Sequence, residues 1–255
     1  MAAIMLWAGL GCAEAQGQSA PAPAAANAAA RDDLQAPPGA LTPETRGDLF
    51  MVHKMYREAI EAYAEGDKND PVLANKAGIG YEQLDQFDKA KKSYERALKL
   101  RPGYAEAQNN LGTVYYSTHS YRRAIDAYRK ALRTMPDSPS FHVNLGTAYF
   151  ARKQEKEASE EFQKALAIDP DVFERRGSYG VVLEERTVDE RAKFHYALAK
   201  LYAKANRNDL ALQNLRKALE EGFKDKKKME QDPEFQAMRD LPEFKELLAL
   251  EPRVL

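Results

Sequence analysis

The chain has 255 residues, 44% hydrophobic and 30% charged, enough for one elongated helix-rich domain or two small globular ones. Its 38 basic and 39 acidic side chains give a formal net charge of -1, which excludes the overall basic excess that nucleic-acid binding uses. A single cysteine, Cys12, excludes an intrachain disulfide framework.

Residues 1–15 read as a signal-peptide-like segment. Ala2 to Gly11 is an uncharged apolar run that ends at Ala13-Glu14-Ala15, a small-x-small site of the kind cleaved in secretory signals. The run is too short to span a bilayer, which takes about 20 apolar residues. No Lys or Arg precedes the apolar core, a departure from the usual signal. The expectation is export, to a periplasm or outside the cell, with a plain apolar tail as the structural alternative. A lipid anchor at Cys12 is less favoured, because Gly9-Leu10-Gly11 places the leucine one position away from the lipoprotein pattern.

Residues 16–42 are rich in Ala, Pro, Gln and Ser and poor in large apolar side chains. Such a segment cannot offset the entropy of ordering itself and reads as a disordered linker. From Pro43 the spacing predicts helices. Gly47, Phe50, Ala59 and Tyr63 form a loose first unit. Three clean units follow, at about 71–104, 105–138 and 139–172, in which six columns recur every 34 residues. They include Gly78, Gly112 and Gly146; Tyr81, Tyr115 and Tyr149; Tyr94, Tyr128 and Phe162; and Pro102, Pro136 and Pro170. Within the middle unit, apolar positions predict one helix over Ala105 to Ser117 and a second over Tyr121 to Met135. Proline cannot continue a helix interior, so Pro136 ends the second. A fixed period of this length marks units that cannot bury their apolar faces alone and must stack.

The stretch 171–189 breaks the period with Gly177, Gly180, Val181 and Val182, and reads as a short hairpin or an irregular loop. Leu198, Tyr202, Ala211, Leu215 and Ala218 then restore the internal spacing. Leu145 to Leu198 is 53 residues, so 19 residues are inserted before the last unit. Asp232-Pro233 and Leu241-Pro242 each signal the start of a short helix. With Phe235, Met238, Phe244 and Leu247 on an apolar face, residues 226–255 read as a cap on the array. The basic run Lys224 to Lys228 reads as a helix-terminal cluster.

These columns resemble the tetratricopeptide repeat (TPR) family. Leu111-Gly112-Thr113-Val114-Tyr115, Ala124 to Tyr128, and Pro136 match its signature. So do Leu145-Gly146-Thr147-Ala148-Tyr149, Ala158 to Phe162, and Pro170. The signature tryptophan is absent: Ala74, Gln108, His142 and His195 stand in its place. Ala199 and Phe223 replace the glycine and proline of the last unit. The resemblance implies an all-α fold, a right-handed superhelix of antiparallel helix pairs with C-terminal capping helices. The array would cover residues 43–225 in about five units, interrupted at about 171–189. It also implies a concave groove lined by first helices, which holds peptides or partner helices. By resemblance the groove residues are Asn75, Lys76, Asn109, Asn110, Thr113, Tyr116, Asn144, Thr147 and Phe150, with Ile79, Glu82 and Val143 on the same side. Asn110 and Asn144 are similar to the asparagines with which some members grip a peptide backbone, since an amide can both donate and accept. Their alternative role is structural, on the helix surface. The lysine, asparagine and arginine clamp of chaperone-binding members is incomplete, because Asn144 stands where a basic residue is wanted.

Catalytic chemistry finds no support. His53, His119, His142 and His195 do not stand at metal-ligand spacing, and phosphate-loop, nucleophile-elbow and dinucleotide motifs are missing. No cofactor or metal is expected. The expected function is that of an exported, non-enzymatic scaffold that binds a protein or peptide in the groove, without nucleic acid and without an integral membrane span. The competing expectation is an envelope small-ligand or glycan binder that uses Tyr116 and Phe150.

Overall fold

The computed structural model describes residues 41–174 and 187–249. The signal-like segment, nearly all of the linker and most of the insertion lie outside the described residues.

Proline opens helix after helix, because its missing N–H would be unpaired there anyway. α1 (Pro43–Val52) follows the cap Thr42, and α3 (Pro71–Glu82) follows Asp70, whose side chain accepts from Val72 N at 2.7 Å. α2 (Tyr56–Ala64) and α4 (Phe87–Leu100) complete two pairs. α5 (Ala105–Ser117) with α6 (Tyr121–Thr134), and α7 (Pro139–Ala151) with α8 (Glu155–Ile168), form the next two. α9 (Val188–Lys204) pairs with α10 (Asn208–Glu220). A capping box starts α9: Thr187 Oγ1 accepts from Glu190 N at 3.3 Å while Glu190 Oε2 accepts from Thr187 N at 3.1 Å.

Each pair turns the same way. Lys54, Asp85, His119, Lys153 and Asn206, one between the two helices of each pair, all have φ between 55° and 60°. The chain then closes a helix-terminating bond back to the aromatic residue of the first helix, as in Ser120 N to Tyr115 O at 2.7 Å and Gln86 N to Tyr81 O at 2.9 Å. These turns recur at the intervals of the sequence columns, including the widened interval before the last unit.

The two helices of a pair meet where the columns are small. A Cβ on Gly112 would lie 2.6 Å from Cε1 of Tyr128, and one on Gly78 would lie 2.4 Å from Cε1 of Tyr94. Only glycine admits the ring, and the rings of Tyr94 and Tyr128 are fully buried there. Burying one such side chain contributes about 1.5–3 kcal/mol. Their hydroxyls remain hydrogen-bonded: Tyr94 donates to Glu82 at 2.7 Å and Tyr128 to Thr113 at 3.3 Å.

The first helices α3, α5 and α7 touch one another in succession as well as their own partners. The first helices therefore lie on the inner side of the curve and the second helices on the outer side. Beyond α10 come α11 (Lys226–Gln231), a 3-10 helix (Pro233–Met238) and α12 (Pro242–Ala249). The basic run around Lys226 is thus itself a capped helix: Asp225 accepts from Lys228 N at 2.8 Å. The 3-10 helix packs on α9 and α12 on α10, which places them as a shrunken further pair. No helix among the described residues is long and apolar enough to cross a membrane.

Candidate functional site: the inner face and the cavity at its end

The inner face carries a chain of amides running through three first helices. Asn110 Nδ2 donates to Asn75 Oδ1 at 3.1 Å, Asn109 Nδ2 to Asn110 Oδ1 at 3.3 Å, and Asn144 Nδ2 to Asn109 Oδ1 at 3.0 Å. Asn75, Asn109 and Asn144 are buried, and Asn110 is half-buried. The last acceptor, Asn144 Oδ1, is buried with no hydrogen-bond partner. Its counterpart Asn110 Oδ1 accepts from Asn109 of the same unit, but here that neighbour is Val143, which has no side-chain donor. These amides tie one unit to the next, the structural role weighed above against peptide gripping.

The remaining sequence-derived residues divide. Lys76 reaches back to the first unit, with Nζ 2.7 Å from Glu44 Oε1 and 2.6 Å from Asp48 Oδ2. Thr113 and Thr147 are buried. Tyr116 is buried with its ring 5.3 Å from that of Tyr121. Glu82 and Ile79 are half-buried, and Val143 is buried. Burial pushes the Glu82 carboxyl up to about 7, even though the Tyr94 hydrogen bond favours its charged form. Phe150, of the nine, lines a cavity.

That cavity, of about 470 Å³, lies at the junction of α8 and α9. The junction follows the insertion, and it is the thinnest contact between successive pairs. Aromatic edges hold it: Phe194 of α9 stands 5.6 Å from both Phe150 and Phe162. Phe150, Phe162, Ala158, Ala197 and Leu201 form the apolar wall. Lys156, Lys193, Lys200, Lys204 and Lys228 line it together with only three carboxylates, Glu155, Asp225 and Glu234.

The cap closes one side. Tyr196 stacks on Phe223 with centroids 4.3 Å apart and donates to Asp232 Oδ2 at 2.7 Å. Lys200 Nζ lies 2.9 Å from Asp232 Oδ2 and 3.4 Å from Glu234 Oε2, while Lys204 lies 3.3 Å from Glu234 Oε1. Burial would raise the Asp232 carboxyl, but hydrogen bonds from Glu234, Lys200 and Tyr196 outweigh it and hold the group down at about 2. Lys200 keeps its charge against burial through the same two carboxylates. Sequence reading missed Tyr196, Lys200 and Lys204. The signal was present: carried across the insertion, Tyr196 falls in the column of Asn109 and Lys200 in that of Thr113.

His142 and His195, which replace the signature tryptophan, act alike. His142 Nδ1 meets Glu161 Oε2 at 2.6 Å, and His195 Nδ1 meets Asn214 Oδ1 at 3.1 Å, each joining the two helices of its own pair. Among the described residues, no group of three His, Cys, Asp or Glu side chains is placed to hold a metal ion.

The tetratricopeptide repeat profile matches residues 75–139 and 111–172, and a second profile of the same repeat matches 192–221. Together they cover half of the chain. The chain belongs to the tetratricopeptide repeat family. Among curated TPR proteins it is 36% identical over 63 residues to the tetratricopeptide repeat domain-containing protein PYG7, chloroplastic, of Arabidopsis thaliana. That match spans 25% of this chain and 21% of the plant protein. Among solved structures it is similar to a crystal structure of MamA, with 22% identity and a TM-score of 0.48 over 69% of this chain and 93% of that one. MamA 41-end from Desulfovibrio magneticus RS-1 gives 22% identity and a TM-score of 0.48, over 68% of this chain and 89% of that one.

Proposed function

We propose that this TPR protein is an exported, non-enzymatic scaffold that holds a protein or peptide partner against its inner face. The observation that carries the reading is the cavity at the α8–α9 junction, with its aromatic floor and its excess of lysines. Its size suits one large apolar side chain, and ammonium groups at the mouth suit a neighbouring carboxylate. Phe150 and the half-buried Asn110 are the sequence-derived residues best placed to touch such a segment, with Tyr196 and Lys200 added by the structure. The charge-neutral composition and the repeated helix pairs support a surface that binds rather than reacts. The signal-like residues 1–15 support export.

Filling the cavity tests the binding mode. Ala197 is half-buried on its wall, and Ala197→Trp occupies the space. Affinity capture from an extract of the source organism, followed by mass spectrometry, should recover a partner with the wild-type chain and lose it with Ala197→Trp at unchanged melting temperature. Equal recovery by both removes the cavity from the proposal. Cell fractionation tests export: the chain should leave the cytoplasm with an N-terminus beyond Ala15, and a cytoplasmic chain retaining Met1 would overturn that part. A second reading, a small amphipathic acid held in the same cavity, is favoured by the enclosed volume. It predicts a ligand-dependent rise in melting temperature without any macromolecular partner.

A further inference from the structure

The outer face is electrically unlike the rest of the molecule. α6 exposes Arg122, Arg123, Arg129, Lys130 and Arg133 against the single carboxylate of Asp126. α4, its outer neighbour, carries five cations and two carboxylates, one of which, Glu95, pairs with Lys91 at 3.8 Å. α8, next along the array, reverses the sign with four glutamates and two lysines. In a chain of net charge -1, α4 and α6 therefore concentrate positive charge on two successive second helices.

Two surface depressions lie in that field. One, of about 270 Å³, is lined by Arg122, Asp126, Arg129, Arg152, Ile125, Tyr149 and Gln154. The other, of about 330 Å³, is lined by Arg122, Arg123, Arg152, His119, Ser120 and Tyr121. Arg122 and Arg152 belong to both, so they form the ridge between them. Among the described residues the ion-paired arginines lie elsewhere, at Arg46, Arg191 and Arg207, whereas Arg122, Arg123, Arg129 and Arg152 form no ion pair with a carboxylate. Arg129 bonds the Tyr149 hydroxyl and Arg123 lies over Tyr115, but all four guanidinium groups lack a carboxylate partner, and around two adjacent hollows they form a fork-shaped donor array that suits planar oxyanions spaced along a chain.

We propose that this outer face is a second docking surface, which takes an acidic, Asp/Glu-rich segment of a partner protein, one carboxylate in each hollow. The other polyanions fit less well. A single-stranded nucleic acid stacks its bases on open aromatic faces. Here Tyr115 lies under Lys91 and Arg123, each 5.9 Å from its centroid, Arg129 covers Tyr149 at 5.5 Å, and Tyr121 in the second hollow is packed against both Tyr116 and His119. A lipid surface calls for apolar side chains among the cations. The exposed Leu100 and Met135 stand at the far ends of α4 and α6, and no exposed large apolar residue lines either hollow. The surface is separate from the cavity on the inner face, so one scaffold holds two partners at once.

The test uses the full chain and fluorescence anisotropy at low salt. The probes are a labelled glutamate oligomer, a single-stranded DNA oligomer of matched charge, and phosphatidylglycerol vesicles. The glutamate oligomer should bind most tightly. The variant R122Q/R129Q/R152Q should weaken it roughly tenfold, as the loss of three exposed charge pairs implies. The control K217Q/K224Q/K227Q removes equal charge from exposed sites elsewhere and should leave binding unchanged. Equal weakening by the control, no weakening by the arginine variant, or tighter binding of DNA or vesicles would each overturn the proposal. Ala197→Trp, which blocks the inner cavity, should not affect the glutamate oligomer.

Discussion

Replacing Gly112 with alanine puts a Cβ 2.6 Å from Cε1, 2.7 Å from Cδ1 and 3.1 Å from Cζ of Tyr128. The ring is fully buried and its hydroxyl is held by Thr113, so it must shift within a packed layer. Overpacking of this kind costs about 1–3 kcal/mol, and contacts this short belong at the upper end. Alanine is the better helix former by about 1 kcal/mol, which opposes the clash. The net expectation is a loss of about 2 kcal/mol. Urea unfolding followed by far-UV circular dichroism should show a lower midpoint at an unchanged slope. The chain supplies its own comparison, because Ala199 and Leu215 occupy these two positions in the last unit. A double variant, Gly112→Ala with Tyr128→Leu, reproduces that pair. It should be more stable than the sum of the single losses by about 1 kcal/mol. A Gly112→Ala protein at or above wild-type stability, or strict additivity in the double variant, would refute the packing argument.

The raised Glu82 carboxyl gives a pH test. Its folded value of about 7 exceeds the ordinary 4.5, so the folded state binds the proton more tightly and stability falls as pH rises from 4.5 to 7. Glu82→Gln still accepts from Tyr94, and it should flatten that slope and be the more stable protein above pH 7. Asp232 works in the opposite sense: its value of about 2 means that its contribution is present above 3.8 and fades as pH falls toward 2. Tyr196→Phe should therefore loosen the cap, seen as faster amide exchange in 233–249. Lys153 at φ 60° carries a left-handed penalty of about 1 kcal/mol that glycine avoids. Lys153→Gly should raise the melting temperature, and a drop would count against the turn analysis. Thr187→Ala removes the capping box of α9 and should lower stability by about 1 kcal/mol in the same unfolding assay.

The architecture was legible because its cause is local and repeated. Gly112, Tyr128 and Pro136 each answer a steric demand that recurs in the three clean units, so period and fold carry the same information there. The helix over Ala105–Ser117 appears where its apolar spacing placed it. The site was legible only in part. The column logic located the inner face, but it did not show that Asn75, Asn109, Asn110 and Asn144 would bond to one another. That depends on distances between units. The cavity was illegible for a related reason: it arises from the thin α8–α9 junction, a feature of how two units stack and of no single residue. The helix at Lys226–Gln231 escaped notice because six residues with one apolar side chain, Met229, carry almost no periodic signal.

The amide chain has a direction, with every link across a unit boundary donating toward the start of the protein and a bare carbonyl left at Asn144. The chain stops in the third unit because Val143 stands where Asn75 and Asn109 accept, so no amide of a later unit could extend it. Beyond Asn144 the register between units is left to the aromatic edges of Phe150, Phe162 and Phe194. The array is therefore tied by directional bonds over its first three full units and by contacts that tolerate sliding at the α8–α9 junction.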